Sequence, residues 1–213
     1  MKQGANSVTG AVPLLLGQPW CVLSAEPYIW GETIGGMSDP QLVIPHERWL
    51  PSYLRALDEF RARGTVLAAL LSPDDCEPGT TIFQLFDDFR VGKNLPDGYV
   101  PESTFWLVEG DEYVGTGSIR HRLTPALERF GGHIFYAIRP SQWNRGYGTV
   151  QLRLLLNEAV ILGLVKVLLT CEESNVASAR VMEKCGGVWQ DTIDHTVEGA
   201  PRRTRRYWLP TGN

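Results

Sequence analysis

Apolar residues recur at helical spacing in several parts of the chain. Trp49, Tyr53, Leu57 and Phe60 fall on one face of a predicted helix that ends at Gly64. Similar spacing predicts three more helices, at residues 82–89, 149–162 and 175–185. Each helix would bury its apolar face and leave the opposite face in water.

The helix predicted at residues 149–162 has the most regular pattern. Val150, Leu154 and Ile161 lie near one side, which we expect to be buried. Polar residues are available for the side facing water, namely Gln151, Arg153, Asn157 and Glu158. Gly163 would end this helix, since glycine is common just past a helix C-terminus.

Runs of apolar and β-branched residues predict strands at residues 41–44, 104–108, 113–120, 134–138, 164–170, 188–194 and 205–209. The polar segment 109–112 between two of them predicts a hairpin. The run 164–170 is almost wholly apolar, as in a strand covered on both faces. The resulting order, β-α-α-β-β-β-α-β-α-β-β, predicts an α/β fold with a mixed sheet.

Residues 1–40 differ from the rest because glycine and proline interrupt them and no apolar period is present. We predict an irregular N-terminal extension there, and Met37 could itself be a start codon. Residues 41–210 suit a single domain. A content of 43% hydrophobic and 21% charged residues excludes a disordered, collagen-like or coiled-coil protein.

Charge and cysteine usage narrow the function classes. A net charge of −4 disfavours a globally basic nucleic-acid binder. The cysteines stand far apart and the histidines show no metal-binding spacing, so we expect free thiols and no metal. The apolar run 11–16 is too short for a signal peptide, and no stretch reaches the ~18 residues of a membrane helix. These features predict a cytoplasmic protein without a membrane partner.

The segment 139–148 reads R-P-S-Q-W-N-R-G-Y-G and lies between a predicted strand and a predicted long helix. Gly146 and Gly148 at a helix start would let backbone N–H groups approach a phosphate, whose negative charge the helix dipole favours. Arg145 adds a cation at the same place. The pattern therefore predicts a phosphate-binding turn.

A second motif follows the strand at 164–170. It consists of Asn175, the small residues Ala177 and Ser178, and the segment E-K-C-G at 183–186. Together, the two motifs resemble the second half of the GNAT superfamily of N-acetyltransferases. The resemblance covers residues 41–210 and is closest to bacterial predicted acetyltransferases without an assigned substrate, which share the blocks 92–96, 119–123, 131–134 and 206–208.

The resemblance implies a mostly antiparallel mixed sheet flanked by helices, with central strands splayed to admit acetyl-CoA. It implies that the turn binds the pyrophosphate of acetyl-CoA and that Asn175 contacts the pantetheine arm. The expected cofactor-binding residues are Tyr136, Ile138, Asn144, Arg145, Gly146, Tyr147, Gly148, Thr149, Asn175 and Ser178. Two positions depart from the family pattern: Trp143 replaces the usual Arg or Gln, and Met182 replaces a Tyr that protonates the leaving thiolate.

The expected reaction is the transfer of an acetyl group from acetyl-CoA to a primary amine by direct attack in a ternary complex. His133 is the candidate general base, because it begins the strand that leads into the turn and is largely neutral at pH 7. Competing candidates are Tyr136, Glu172 and Glu173. A strand N–H group would polarise the thioester oxygen.

Several alternatives remain open from the sequence. The chain could be a non-catalytic CoA-binding or regulatory module, given Met182. A nucleic-acid-binding domain built on the arginines at 202, 203, 205 and 206 is less favoured because the net charge is negative. Asn175 could act only as a helix N-cap, and Cys171 is better explained as a small buried residue than as a nucleophile. The acceptor amine is open, and the chain could be a monomer or a homodimer.

Overall fold

The computed structural model describes residues 39–64, 70–197 and 200–212. The predicted irregular extension and the start at Met37 concern residues outside the described part almost entirely. The first described strand begins at Gln41. The domain boundary near residue 41 stays a prediction.

The described strands form two antiparallel sheets. The first has four strands in the order β1-β2-β3-β4, with the bounds β1 Gln41–Val43, β2 Glu102–Glu109, β3 Glu112–Arg120 and β4 Ile134–Ile138. The second has the order β5-β7-β6, with β5 Lys166–Glu172, β6 Val188–Val197 and β7 Ala200–Pro210. The predicted hairpin is confirmed, since β2 and β3 pair up to Glu109 and Glu112.

The main helices of the described chain are α1 Leu50–Ala62, α2 Ile82–Val91, α3 Pro125–Arg129, α4 Tyr147–Ile161 and α5 Val176–Lys184. The predicted order of elements is confirmed, with α3 as an addition. That helix has five residues, fewer than two turns, so no apolar period could have revealed it. Thr124 begins it as an N-cap, its hydroxyl accepting a hydrogen bond from the N–H of Leu127.

The two sheets meet at one point and then separate. Between β4 and β5 the described pairing is a single bridge, from Gly132 to Leu169. Next to it, the N–H of His133 donates to the carbonyl of Leu168 at 2.7 Å. We call these four residues the seam. A side chain at Gly132 would collide with the carbonyl of Leu168, so the seam requires glycine. Beyond the seam β4 and β5 splay apart, as the family resemblance predicts.

Two hydrophobic cores cover the faces of the first sheet. One lies under α4 and α5 and includes Leu155 and Met182, and the other lies under α1 and α2 and includes Tyr53 and Trp106. Leu155 approaches β3 so closely at Gly117 that a Cβ there would lie 2.5 Å from its Cδ1. Any larger residue at this position would displace the Leu155 side chain.

The predicted faces of α4 are partly wrong. Gln151, assigned to the side facing water, is 0% exposed, whereas Ile161, assigned to the buried side, is 76% exposed. The helix is apolar on most of its circumference, so its period does not define one buried face. Gln151 fits against β3 because Gly115 leaves room: a Cβ there would lie 3.2 Å from the Gln151 Oε1.

Candidate functional site

A cavity of about 820 Å³ opens where β4 and β5 separate. Its walls come from β4, the turn between β4 and α4, the first turn of α4, the end of β5 and one face of α5. The cavity therefore lies between the two sheets, and the seam closes one end of the gap between β4 and β5.

No helix of the described residues is long and apolar enough to cross a membrane.

The turn before α4 has the geometry of an anion site. Gly146 is the N-cap of α4 in the left-handed region, with φ of 88°, and a Cβ built there meets nothing within 4 Å. The N–H groups of Thr149 and Val150 already donate to the carbonyl of Gly146, whereas those of Tyr147 and Gly148 stand before any helical carbonyl that could accept them. The dipole of this 15-residue helix adds positive potential at the same point.

Most of the expected cofactor-binding residues lie together in the cavity wall. These are Tyr136, Ile138, Asn144, Gly146, Tyr147, Gly148, Thr149, Asn175 and Ser178. Arg145 is not among the residues that line the cavity, and its guanidinium donates to the side-chain oxygen of Gln142 instead. The contact of each of these residues with a cofactor stays a prediction.

Asn175 and Ser178 start the helix that forms one wall. Asn175 is the N-cap of α5, and its Oδ1 accepts a hydrogen bond from the N–H of Ser178 at 3.0 Å. The Ser178 Oγ lies 2.9 Å from the hydroxyl of Tyr136, which also donates to the Ser178 carbonyl at 3.3 Å. Burial raises the pKa of Tyr136 to about 12. The phenol is therefore protonated at neutral pH and cannot act there as a base.

His133 belongs to the seam and is not among the residues that line the cavity. It is 8% exposed, and its Nδ1 accepts a hydrogen bond from the N–H of Leu168 at 2.9 Å. The neutral ring then carries its proton on Nε2, so neither nitrogen has a free lone pair to receive a proton. Burial, with a smaller contribution from Arg120, lowers its pKa to about 4. The general-base role stays a prediction that this geometry does not support.

The other side chains that the sequence offered for catalysis are held in ion pairs or packed in the protein interior. Glu172 pairs with Arg202 at 3.1 Å and Glu173 with Arg203 at 2.6 Å, and neither carboxylate lines the cavity. Cys171 lines it, but burial raises the pKa of its thiol, which keeps it protonated and poorly nucleophilic.

Met182, at the position of the family tyrosine, is fully buried in the core under α5. Three of the four C-terminal arginines form ion pairs with carboxylates: Arg202 with Glu172, Arg203 with Glu173, and Arg206 with Asp191. Their charges are therefore partly compensated within the protein.

The cavity also contains residues that sequence reasoning missed. Arg180 and Lys184 lie one turn apart on α5, and both line the cavity, so α5 contributes two cations to its wall. On the α1 side, Phe60, Phe135 and Trp143 form an aromatic wall. The spacing of 177, 180, 181 and 184 was a readable signal for a shared face of α5. No local signal could have placed Phe60, which is far from the others in sequence, beside them.

Trp143 has a structural explanation for its departure from the family pattern. Its Nε1 donates to the carbonyl of Ile138 at 2.6 Å, across the turn. The guanidinium of Arg63, just after α1, lies over its ring at 4.9 Å from the centroid. The indole of Trp143 therefore stabilises the turn through these two contacts, at the position where the family pattern has Arg or Gln.

Comparisons with known proteins agree with this architecture. A family model described as the acetyltransferase (GNAT) domain matches residues 53–188. The fold is similar to that of RimL, a ribosomal L7/L12 alpha-N-protein acetyltransferase in complex with coenzyme A, with a TM-score of 0.60, 15% identity, and coverage of 81% of this chain and 94% of RimL. No curated protein sequence matches the chain.

Two further solved structures have the same fold. One is yncA from Salmonella typhimurium with its cofactor acetyl-CoA, with a TM-score of 0.56, 13% identity, and coverage of 80% and 93% of the two chains. The other is a spermidine N-acetyltransferase SpeG chimera from Vibrio cholerae and hSSAT, with a TM-score of 0.55, 16% identity, and coverage of 81% and 96%. Because the family model matches well over half of the sequence, the chain belongs to the GNAT family of acetyltransferases.

Proposed function

We propose that the protein binds acetyl-CoA in the cavity between its two sheets and transfers the acetyl group directly to a primary amine. The observation that carries this proposal is the continuity of the cavity. One space runs from the N-terminus of α4 past the splayed strands to the aromatic wall beside α1. Donor and acceptor can therefore meet within it in a ternary complex, which supplies rate by proximity and orientation.

The phosphates of acetyl-CoA would lie at the start of α4. The N–H groups of Tyr147 and Gly148 and the helix dipole favour an anion there. Arg180 and Lys184 contribute two positive charges to the lining of the same cavity. This leaves the pantetheine arm directed along the gap between β4 and β5, with the thioester inside the cavity.

The free edge of β4 would polarise the thioester carbonyl. The N–H of Arg139 donates to Val114 on β3. Alternate residues of a strand direct their N–H groups to opposite edges, so Tyr136 and Ile138 direct theirs away from β3 and toward the gap. A donor at that edge would stabilise the oxyanion of the tetrahedral intermediate.

The hydroxyl groups of Tyr136 and Ser178 would lie next to the thiolate sulfur of coenzyme A as it leaves. With a pKa of about 12, Tyr136 is a weaker acid than a thiol whose ordinary pKa is ~8.5. A hydroxyl of the pair, turned from its present partner toward the cavity, would therefore stabilise the departing sulfur by hydrogen bonding rather than by full proton transfer. The proton that finally neutralises the thiolate comes from the attacking amine, through water.

No carboxylate or imidazole is present among the described residues that line the cavity. The amine would therefore lose its proton to water in the open cleft, and attack would require the fraction of the acceptor that is already neutral. The aromatic wall and the cations of the lining favour an amine that lies next to an apolar group over a polyamine.

The test is thiol release from acetyl-CoA, followed with a panel of amines and with calorimetric binding of acetyl-CoA. We expect binding, and turnover that is greatest for amines with an apolar neighbour. Along the panel, the acidic limb of the pH–rate profile should move with the pKa of the amine. Binding without turnover on any amine would favour the non-catalytic CoA-binding module instead. Absence of binding would refute both.

A further inference from the structure

A buried arginine joins α1 to the turn that follows β4. The Arg139 side chain is 10% exposed, and its Nε donates to Glu59 of α1 at 2.7 Å. Its Nη1 donates to Glu112 of β3 at 3.0 Å. Ser52 completes the cluster, because its hydroxyl donates to Glu112 at 2.7 Å. A buried charge requires such partners, so the cluster fixes Arg139 in place.

Glu59 has a second set of contacts that Glu112 lacks. Its Oε2 accepts a hydrogen bond from the N–H of Ser141 at 2.9 Å, and its Oε1 accepts one from the Ser141 hydroxyl at 3.1 Å. Burial opposes the charge of Glu59, but the hydrogen bonds from Ser141 and Arg139 outweigh it and lower its pKa. Glu59 is thus an ionised acceptor for three donors of the turn, across 80 residues of sequence.

The turn held by Glu59 is part of the cavity wall. Gln142, Trp143 and Asn144, which directly follow Ser141, all line the cavity. Phe60, the neighbour of Glu59 on α1, also lines it. A change in the distance between α1 and the turn would therefore alter both the approach to the α4 N-terminus and the aromatic wall.

We propose that Glu59 is a positioning residue that holds the β4–α4 turn in the shape that receives acetyl-CoA and couples this turn to α1 on the acceptor side. This inference rests on the proposed function. Glu59 lies outside the cavity wall and acts through Ser141. Its predicted effect is on the binding of acetyl-CoA rather than on the chemical step.

Glu59→Gln is the discriminating variant, because it keeps the shape of the side chain but replaces one acceptor oxygen by a donor. That NH₂ group would face a donor of Arg139 or Ser141, so the turn loses a charge-assisted hydrogen bond. We expect the Kd of acetyl-CoA, measured by calorimetry, to rise about tenfold, with kcat at saturating acetyl-CoA within about twofold of the original. Ser141→Ala, which loses only the hydroxyl contact, should raise the Kd by about threefold.

Two matched controls separate positioning from general stability. Glu112→Gln weakens the other partner of Arg139 without touching Ser141, and Asp58→Asn changes the neighbouring carboxylate, which pairs on the surface with Arg61. Both should keep the Kd of acetyl-CoA within about twofold, although Glu112→Gln should lower the unfolding midpoint. Circular dichroism and thermal unfolding establish that each variant is folded.

An unchanged Kd in folded Glu59→Gln would overturn the inference, and so would an equal loss of affinity in Glu112→Gln. If Glu59→Gln does not fold, Ser141→Ala decides, and a Kd equal to the original would overturn the inference. Failure of the unaltered protein to bind acetyl-CoA would instead refute the proposed function. The two failures are therefore distinguishable in the same experiment.

Discussion

The seam, just before β4, and the open end of the cavity, at the start of α4, differ in whether their polar groups are already paired. At the seam, both polar backbone groups of Leu168 are hydrogen-bonded to His133: its carbonyl accepts from the His133 N–H and its N–H donates to the His133 Nδ1. Both residues are buried. At the open end, the space around Gly146 would leave a Cβ without any neighbour within 4 Å, and Tyr147 and Gly148, at the start of α4, line the cavity. Polar groups that are already paired can only support the fold, whereas polar groups left open can bind a ligand. Changes at the seam should therefore affect stability, and changes at the open end should affect acetyl-CoA.

The largest effect is expected from Gly132→Ala at the seam. The added Cβ would collide with the backbone of Leu168, which cannot move without breaking the bridge between the sheets. We expect a loss of about 4 kcal/mol in the free energy of unfolding, measured with denaturant. Gly131→Ala is the control, because it shares a positive φ but its Cβ would meet only the ends of two flexible side chains, Leu127 at 3.2 Å and Arg120 at 3.6 Å. Equal losses in both variants would show that the seam has no special requirement.

At the open end, Gly146→Val should raise the Michaelis constant for acetyl-CoA by about 100-fold, because the side chain would stand between the phosphates and the backbone donors. Gly163→Val is a close control. Gly163 lies beyond the other end of α4 with φ of 78°, and a Cβ there also meets nothing within 4 Å. Both variants carry the same backbone strain, so only the difference between them reports on the site. A Michaelis constant that rises equally in both would remove the phosphate assignment.

The pH dependence of stability provides a third test of the contrast. The pKa of His133 falls from 6.5 to about 4 on folding, so the unfolded chain binds more protons between these values. The free energy of unfolding is therefore highest above pH 6.5, where His133 is neutral in both states, and it decreases as the pH falls toward 4. We expect a loss of about 2 kcal/mol over that range. Unfolding by denaturant at several pH values measures it.

His133→Asn should flatten this pH dependence, because its amide oxygen can accept the N–H of Leu168 without titrating. Turnover at pH 7 should stay within about twofold, with the acidic limb of the rate profile unchanged. A fall of about 100-fold in turnover with loss of that limb would restore His133 as the general base, as the sequence predicted.

The smallest effect is expected from Tyr136→Phe inside the cavity. Loss of the hydroxyl removes one hydrogen bond to the leaving sulfur, so kcat should fall about tenfold while the Kd of acetyl-CoA stays within about twofold. Ser178→Ala should produce a similar fall, and the double variant should cost little more than either single change, because the two hydroxyls act as a pair. Additive losses would show that they act separately.

The candidate site was predicted best where chemistry is local in sequence. The turn 139–148 and the start of α5 are continuous segments whose glycines, Asn175 and Ser178 determine their own backbone shape, and the structure places nearly all of them in one cavity. The prediction was weakest for residues whose role depends on a distant partner. His133 has the right residue type for a base, but Leu168 occupies its Nδ1 from 35 residues away.

The sequence by itself determined the order of helices and strands, the hairpin, the glycine-containing turn before α4 and the absence of a regular period in the first 40 residues. These follow from periods of apolar residues and from local backbone preferences, which act within a few residues. Only the tertiary structure decided that Gln151 is buried, that Arg180 and Lys184 line the cavity, and that Glu59 accepts hydrogen bonds from Ser141. Packing of the two sheets and their helices brings these groups together, and a periodic pattern records which side of an element is apolar but not which element lies against it.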